Sequence, residues 1–178
     1  MVIPNFNDMI VTLAANMPNL MRLTTALSYV LGIVLMGNGL YGFKQYGDMR
    51  TMQSSSNDFR GPATMVVVAA LLLYFPSTVY MGVTTFWGEP NILPYQPEEG
   101  TAGDTESIVL TAIFDIVQVV GAISFVRGLT LLSRAGKGQQ QGPGNFGKGV
   151  SHCIAGVLGI NVYATWQMLL ASFGIFLN

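Results

Sequence analysis

Few side chains in this sequence could take part in chemistry, and the most suggestive pair is His152 beside Cys153. A histidine and a cysteine together can hold a metal ion or activate a thiolate nucleophile. Neighbouring residues of a helix point in divergent directions, however, and the sequence has no second histidine or cysteine to complete such a site. We therefore expect a structural role for this pair, and we predict no metal site, no catalytic residue and no enzyme activity.

A glycine-rich stretch from Ser133 to Gly149 partly matches a phosphate-binding loop, which reads Gly-x-x-x-x-Gly-Lys-Ser/Thr and follows a strand. Gly142 and Gly147 have the right spacing and Lys148 follows, but the next residue is Gly149, which has no hydroxyl for magnesium. We therefore exclude nucleotide hydrolysis. A flexible cationic segment suits anionic lipid headgroups or another polyanion instead.

Asp115 lies inside a long apolar segment, where an ionisable group suggests a proton or ion pathway. Arg127 lies in the same segment, but twelve helical residues separate the two by roughly 18 Å, too far for an ion pair. Arg127 can extend to the lipid headgroups instead. We favour a partner contact for Asp115 over an ion relay.

The composition indicates what kind of protein holds these residues. Charged residues make up 10% of the 178 residues and apolar residues 51%, whereas about 25% of a soluble protein is charged. So few charges could not cover the surface of a soluble domain. The sequence predicts an all-α membrane protein, and its single cysteine excludes an intrachain disulfide.

Four apolar segments approach or exceed the 20 or so residues that cross a bilayer core. They predict four transmembrane helices in two similar hairpins, with a kink at Pro76 in the second helix. Ahead of them, apolar residues at helical spacing predict a short amphipathic interfacial helix that ends near Pro18, the alternative being an irregular tail. The predicted division is an N-terminal interfacial segment 1–19, a first hairpin 20–87, an acidic proline-rich external loop 88–106 and a second hairpin 107–178.

The charges predict an orientation for these helices. Seven of the eight Lys and Arg residues lie in or beside the connecting segments 44–61 and 134–149, and the acidic residues concentrate in the loop 88–106. The positive-inside rule places both basic segments in the cytoplasm, and therefore both termini in the periplasm. We expect lipid or polyanion binding by the basic side chains of these segments: Arg134, Lys137, Lys148, Lys44, Arg50 and Arg60.

The two halves of the chain can be aligned. Gly32–Leu40 aligns with Gly121–Leu129, and each stretch has a glycine near either end. Phe75-Pro76-Ser77 parallels Tyr163-Ala164-Thr165. Duplication of one hairpin and chance similarity of apolar helices are both open at this point. Small residues let membrane helices approach closely, and they predict helix packing, within the chain or between copies, at Gly32, Gly39, Gly121, Gly128, Ala155 and Gly159.

Several short stretches occur in a characteristic order between about Leu27 and Ile175. They are Gly47-Asp48-Met49-Arg50-Thr51-Met52, Tyr74-Phe75-Pro76-Ser77, Thr85-Phe86-Trp87-Gly88-Glu89-Pro90-Asn91, Ile123-Ser124-Phe125-Val126-Arg127-Gly128-Leu129 and Phe146-Gly147-Lys148-Gly149-Val150-Ser151-His152. In this ordered set the chain resembles the IcmC (DotE) and TraQ family of type IVB secretion and conjugation systems. The acidic loop and the N-terminal segment lie outside the resemblance.

The resemblance implies a small bacterial inner-membrane component of a machine that moves DNA or protein between cells, with no enzyme activity and no cofactor other than structural phospholipid. Its role is open. Many copies could polymerise as a pilin-like subunit, with the basic loops facing a lumen and the assembled pilus outside the cell, or a few copies could form an inner-membrane scaffold. A small ion channel or transporter that uses Asp115 is the third interpretation. The expected partners are further copies of the chain, other secretion-system subunits, membrane phospholipid, and DNA or effector protein as cargo.

Overall fold

The computed structural model describes residues 5–51, 59–89, 91–93, 105–135 and 144–174. Within these ranges the chain is helical apart from short turns and non-helical ends, and it has no strand, so the predicted all-α class is confirmed. The helices are α1 (Phe6–Ala15), α2 (Met17–Thr51), α3 (Arg60–Leu73), α4 (Phe75–Trp87), α5 (Thr105–Ala135), α6 (Gly144–Ile160) and α7 (Val162–Ser172).

The two long continuous helices, α2 and α5, have 35 and 31 residues. At 1.5 Å per residue they measure roughly 52 and 46 Å, which exceeds the roughly 30 Å of a bilayer core. Among the described residues, two helices are long and apolar enough to cross a membrane, or up to four if each of two bent helix pairs is one span. These lengths are consistent with a membrane protein.

The predicted N-terminal helix exists as α1, but it is not detached from the first long helix. A turn at Asn16 separates α1 from α2, and the two together pass as one apolar helix over Asp8–Asp48. Pro18 lies in the first turn of α2, where its missing N–H leaves no hydrogen bond unmade. Because α1 packs along α5 and buries Ala14, it belongs to the helical assembly. Its position at a membrane interface stays a prediction.

The second and fourth predicted transmembrane segments are not continuous helices, which corrects the prediction. The chain bends by 92° where α3 meets α4 at Tyr74, and again by 92° where α6 meets α7 at Asn161. At the first bend Pro76 has no N–H, and in a straight helix its ring would clash with the carbonyl four residues earlier. The predicted kink at Pro76 is therefore a break in the helix. The second bend contains no proline, and the hydropathy pattern did not predict it.

A threonine hydroxyl spans each bend in the same way. Thr78 Oγ1 donates to the Leu71 carbonyl at 2.8 Å, and Thr165 Oγ1 donates to the Leu158 carbonyl at 2.9 Å. In an uninterrupted helix a backbone N–H would fill each of these carbonyls. An unsatisfied carbonyl costs several kcal/mol in a bilayer, so each hydroxyl removes that cost for one carbonyl at its bend.

The helices also extend into the predicted connecting segments. α2 continues past Lys44 to Thr51, and α6 begins at Gly144, so Lys44 and Lys148 lie on helices rather than on loops. Gly88 ends α4 with a φ of 76°, the left-handed conformation that favours glycine at a helix end.

A buried apolar cluster joins the two halves of the chain. The ring centroids of Phe75 and Phe125 are 6.2 Å apart at its centre. Its members come from α3, α4, α5 and α6: Val68, Leu72, Phe75, Val79, Val83, Ala122, Phe125, Leu129, Val157 and Ile160. Both halves therefore share one core, which sets their relative position.

Candidate functional site

Each half contains a helical hairpin, α2 with α3 and α5 with α6, and each hairpin has a tightly packed end next to its connecting segment. Gly42 lies there against Pro62, and Gly149 lies there against Leu132. A Cβ added to either glycine would come within 2.9 Å of the opposing side chain. We call these the closed ends of the two hairpins.

Basic side chains lie exposed near both closed ends. Lys44 and Arg60 flank the first connection, and Arg134 and Lys148 flank the second. The predicted basic residues are thus brought together in two pairs of helix ends. Lys137 and the side chain of Arg50 lie outside the described residues.

The helix termini add to the electrostatic character of these ends. Arg134 lies in the last turn of α5, where a cation interacts favourably with the helix dipole. Lys148 lies about one turn into α6, and no acidic residue occupies the first turn of α6 or of α3. The amino terminus of a helix already carries partial positive charge, so the closed end of the second hairpin attracts anions.

Glycines form the seam of the first hairpin. A Cβ on Gly32 would lie 2.9 Å from Leu73 Cγ, and one on Gly39 would lie 2.7 Å from Val66 Cγ2. Both are shorter than the roughly 3.5–4.0 Å of an optimal carbon–carbon contact. These predicted packing positions therefore lie where α2 and α3 approach each other within the chain.

The seam of the second hairpin is closer still, because it brings backbone against backbone. A Cβ on Gly121 would stand 2.6 Å from the backbone of Gly159 and Ile160, and one on Gly128 would stand 2.6 Å from Cys153 Sγ. Gly156, which the predicted packing set omits, belongs to this seam as well. The sequence feature that indicates Gly156 is its position three residues before Gly159, which places the two glycines on one face of the helix.

Ala155 does not take part in this seam. Its side chain is exposed on α6, whereas the neighbouring Gly156 is buried, and a Cβ on Gly156 would lie 2.6 Å from Phe125 Cβ. Within the chain, Ala155 is therefore not a packing position, and its packing between copies stays a prediction.

The two seams have the same register. Gly32 and Gly121 are 89 residues apart, and so are Gly39 and Gly128. Residues that these glycines contact across the seam, Leu73 and Ile160 in one case and Val66 and Cys153 in the other, are 87 residues apart. Thr78 and Thr165, which span the two bends, are also 87 residues apart. The bends therefore align one residue differently from the predicted match of Phe75 with Tyr163.

Asn161 at the second bend is a polar residue that the sequence patterns did not single out. Its side chain is 1% exposed, and its Oδ1 accepts the backbone N–H of Leu93 at 3.0 Å. Among the described residues, its Nδ2 is buried and has no hydrogen-bond partner, and the same is true of Trp87 Nε1. Asn161 thus ties the segment that follows α4 to the bend between α6 and α7.

The residues with chemical potential are dispersed. Asp115 is half-buried on α5 and Arg127 is exposed on the same helix. His152 and Cys153 are half-buried, and Cys153 packs on Gly128. Within the described ranges, no group of three or more His, Cys, Asp or Glu side chains could hold a metal ion.

Comparisons of the chain with protein-family models, curated proteins and solved structures find no match. The arrangement offers two features with functional meaning, the anion-attracting closed end of the second hairpin and the apolar side chains exposed on the outer surface. That surface includes Ile33, Leu40 and Val120, whose side chains are 64%, 58% and 57% exposed.

Proposed function

We propose that the chain is a non-enzymatic membrane subunit that assembles in many copies. The many exposed large apolar side chains of the described helices are the observation that carries this proposal, because exposed apolar patches mark lipid or protein contacts. It combines with helices long enough to cross a bilayer, with seams that hold each hairpin together, and with a buried cluster that joins the two hairpins. Such a unit suits repeated assembly better than it suits turnover of a substrate.

The proposed setting is a type IVB secretion or conjugation system in the bacterial inner membrane, and this part rests on the resemblance in the sequence. There the chain would polymerise as a pilin-like subunit, with DNA or effector protein as transient cargo. The exposed cations at the closed ends would bind phospholipid headgroups or line a lumen. Arg134 and Lys148 are the residues best placed for that role.

A four-span arrangement is possible only if the bent pairs cross the bilayer obliquely. α3 and α4 have 14 and 13 residues. If both arms of the 92° bend incline equally, by about 46°, the pair rises roughly 28 Å, close to the thickness of the bilayer core. At the same inclination α2 and α5 rise roughly 36 and 32 Å. All four segments then cross, with a tilt somewhat above the usual upper range of about 40°.

Two other functions remain as alternatives. A low-copy inner-membrane scaffold would use the same apolar surface to contact other subunits of the complex. A small ion channel or transporter would need a polar pathway through the protein. The buried polar residues among those described lie on α2, on α5 and at the bend between α6 and α7: Thr24, Ser28, Ser107, Ser133 and Asn161. Asp115, the candidate for such a pathway, is isolated from any metal-binding group among the described residues.

Copy number decides between the polymer and the scaffold. The complex is purified from membranes through a tag on another subunit, and peptides of this chain are quantified against isotope-labelled standards. The polymer predicts a large excess of this chain over the other subunits. A ratio of a few copies per complex, in cells that are actively transferring cargo, would rule out the pilin-like role and leave the scaffold.

A further inference from the structure

The internal contact between the two hairpins uses one face of α5. Ala122 and Leu129 are 1% and 3% exposed, and they share the buried cluster with Val68 and Leu72 of α3. α3 therefore covers this face of α5 with bulky apolar side chains. Because both hairpins have the same seam register, each side of this contact has an equivalent in the other hairpin.

The equivalent of the covered face of α5 is uncovered on α2. Ile33 and Leu40 stand 89 residues before Ala122 and Leu129, and their side chains are 64% and 58% exposed. Gly37 lies between them on the same face of the helix, is exposed, and has open space where a Cβ would stand. This face has two bulky side chains with a gap between them.

The equivalent of the covering helix is unused only in part, because Gly159, the equivalent of Leu72, lies in the seam against Gly121. Ala155 stands 87 residues after Val68, and it is exposed although Val68 is 5% exposed. Ser151 and Lys148 continue the same exposed stripe of α6 toward the closed end. One end of the chain thus presents a bulky face on α2, and the other presents a small-residue face on α6.

We infer that the occupant of both faces is a second copy of this chain, with α6 of one copy packed on α2 of the next. The contact repeats the internal one, in which α3 covers α5, so it continues an interface already present in the fold. Apolar surface alone does not drive helices together in lipid, whereas close packing of small against large side chains does. This inference rests on the proposed self-assembly and specifies its interface.

The two faces differ from each other, so the contact is head to tail. A head-to-tail contact builds a ring if its rotation closes and a helical filament if it does not. A two-fold symmetric dimer, in which the same face meets itself, is the alternative geometry. Lipid alone on both faces is the alternative occupant.

Cross-linking in membranes tests the contact. Val68 and Leu129 are the members of the internal cluster nearest the closed ends on α3 and α5, and their equivalents are Ala155 and Leu40. We would therefore make Leu40→Cys with Ala155→Cys in a background in which Cys153 is replaced by Ala, and add a short bismaleimide. The matched control replaces Ala155→Cys with Ile154→Cys, because Val67, the equivalent of Ile154, stays 60% exposed beside the internal contact.

The inference predicts a ladder of dimers, trimers and longer species for the pair Leu40→Cys with Ala155→Cys. Each single-cysteine variant should stay monomeric, because a head-to-tail contact never brings a residue next to its own copy. Dimers of a single-cysteine variant, or an equally strong ladder from the Ile154 control, would overturn the head-to-tail contact.

The mass of the protein in native nanodiscs distinguishes failure of the proposed interface from failure of the proposed self-assembly. If the chain is oligomeric in native nanodiscs but the double variant forms no ladder, the interface is wrong and self-assembly stands. If the chain is monomeric there, both fall. As an independent check, Ala155→Trp should abolish the oligomer while Ile154→Trp preserves it, since neither side chain contributes to the hairpin seams.

Discussion

The backbone contact at Gly121 makes a quantitative test of how the second hairpin is held together. Replacement of Gly121 by Ala adds one methyl group, which would stand 2.6 Å from backbone atoms of Gly159 and Ile160. Carbon atoms pack best at roughly 3.5–4.0 Å, and a backbone cannot rotate aside as a side chain can. α5 and α6 must therefore separate by about 1 Å along part of the seam.

The expected cost follows from this displacement. Overpacking of a close-packed site costs roughly 1–3 kcal/mol. Gly47→Ala is the matched control, because it also lies in a long helix but has no atom near the position of its Cβ. Alanine at such a helical site stabilises by roughly 0.5–1 kcal/mol. Because Gly121 also lies inside a helix, this gain cancels in the comparison, and the free energies of unfolding of the two variants should differ by roughly 1–3 kcal/mol.

Unfolding by sodium dodecyl sulfate in mixed micelles measures this difference. The fluorescence of Trp87, which packs against the buried cluster, reports the transition. Gly32→Ala should be intermediate, because its nearest contact is the side chain of Leu73, which can move. Equal stability of Gly121→Ala and Gly47→Ala would refute the backbone-to-backbone seam.

Three further predictions concern the bends and the topology. Thr165→Val should destabilise the protein by about 1–3 kcal/mol, because the Leu158 carbonyl across the bend loses its hydroxyl donor, whereas Thr165→Ser should cost less than half of that. Similar losses of stability in both variants, measured by the same unfolding titration, would show that the hydroxyl is irrelevant. Asn161→Leu should speed hydrogen exchange at the Leu93 amide, because this amide loses its acceptor. Global stability should change little, because the buried Asn161 Nδ2, which has no partner among the described residues, is removed at the same time. Unchanged exchange at Leu93, measured by nuclear magnetic resonance, would argue against the hydrogen bond between Leu93 and Asn161. In a background without the native cysteine, Glu89→Cys should react with a membrane-impermeant maleimide from the periplasm, and Lys148→Cys only after permeabilisation. The reverse pattern would mean that the bent pair α3–α4 is re-entrant, and labelling of both from one side would mean that α5 does not cross the membrane.

The helical class and the placement of the long apolar segments could be predicted from the sequence, because composition and apolar length act over whole segments. Glycine spacing likewise predicted Gly32, Gly39, Gly121 and Gly128, which the structure places in the two intrachain seams. Ala155 shows the limit of this reasoning. Spacing alone identifies a small-residue stripe but not which side of the helix faces the partner, and here the adjacent Gly156 does.

The bends could be predicted only in part. Pro76 indicates a disturbance of the helix, but a proline kink is normally far smaller than 92°. The larger angle also depends on the threonine hydroxyl that takes over a backbone carbonyl and on packing against the other hairpin. At Asn161 the cause is tertiary, since the side chain is held by the distant Leu93 amide. Local sequence patterns do not contain that contact.

Electron microscopy of material sheared from the surface of transferring cells, with peptide identification of its components, tests the central claim of many-copy assembly most directly. The proposal predicts helical filaments in which this chain is the main protein. Their symmetry should place α6 of each subunit against α2 of the next. Surface material that lacks the chain, together with full recovery of the chain in the inner membrane, would contradict a filament-forming role.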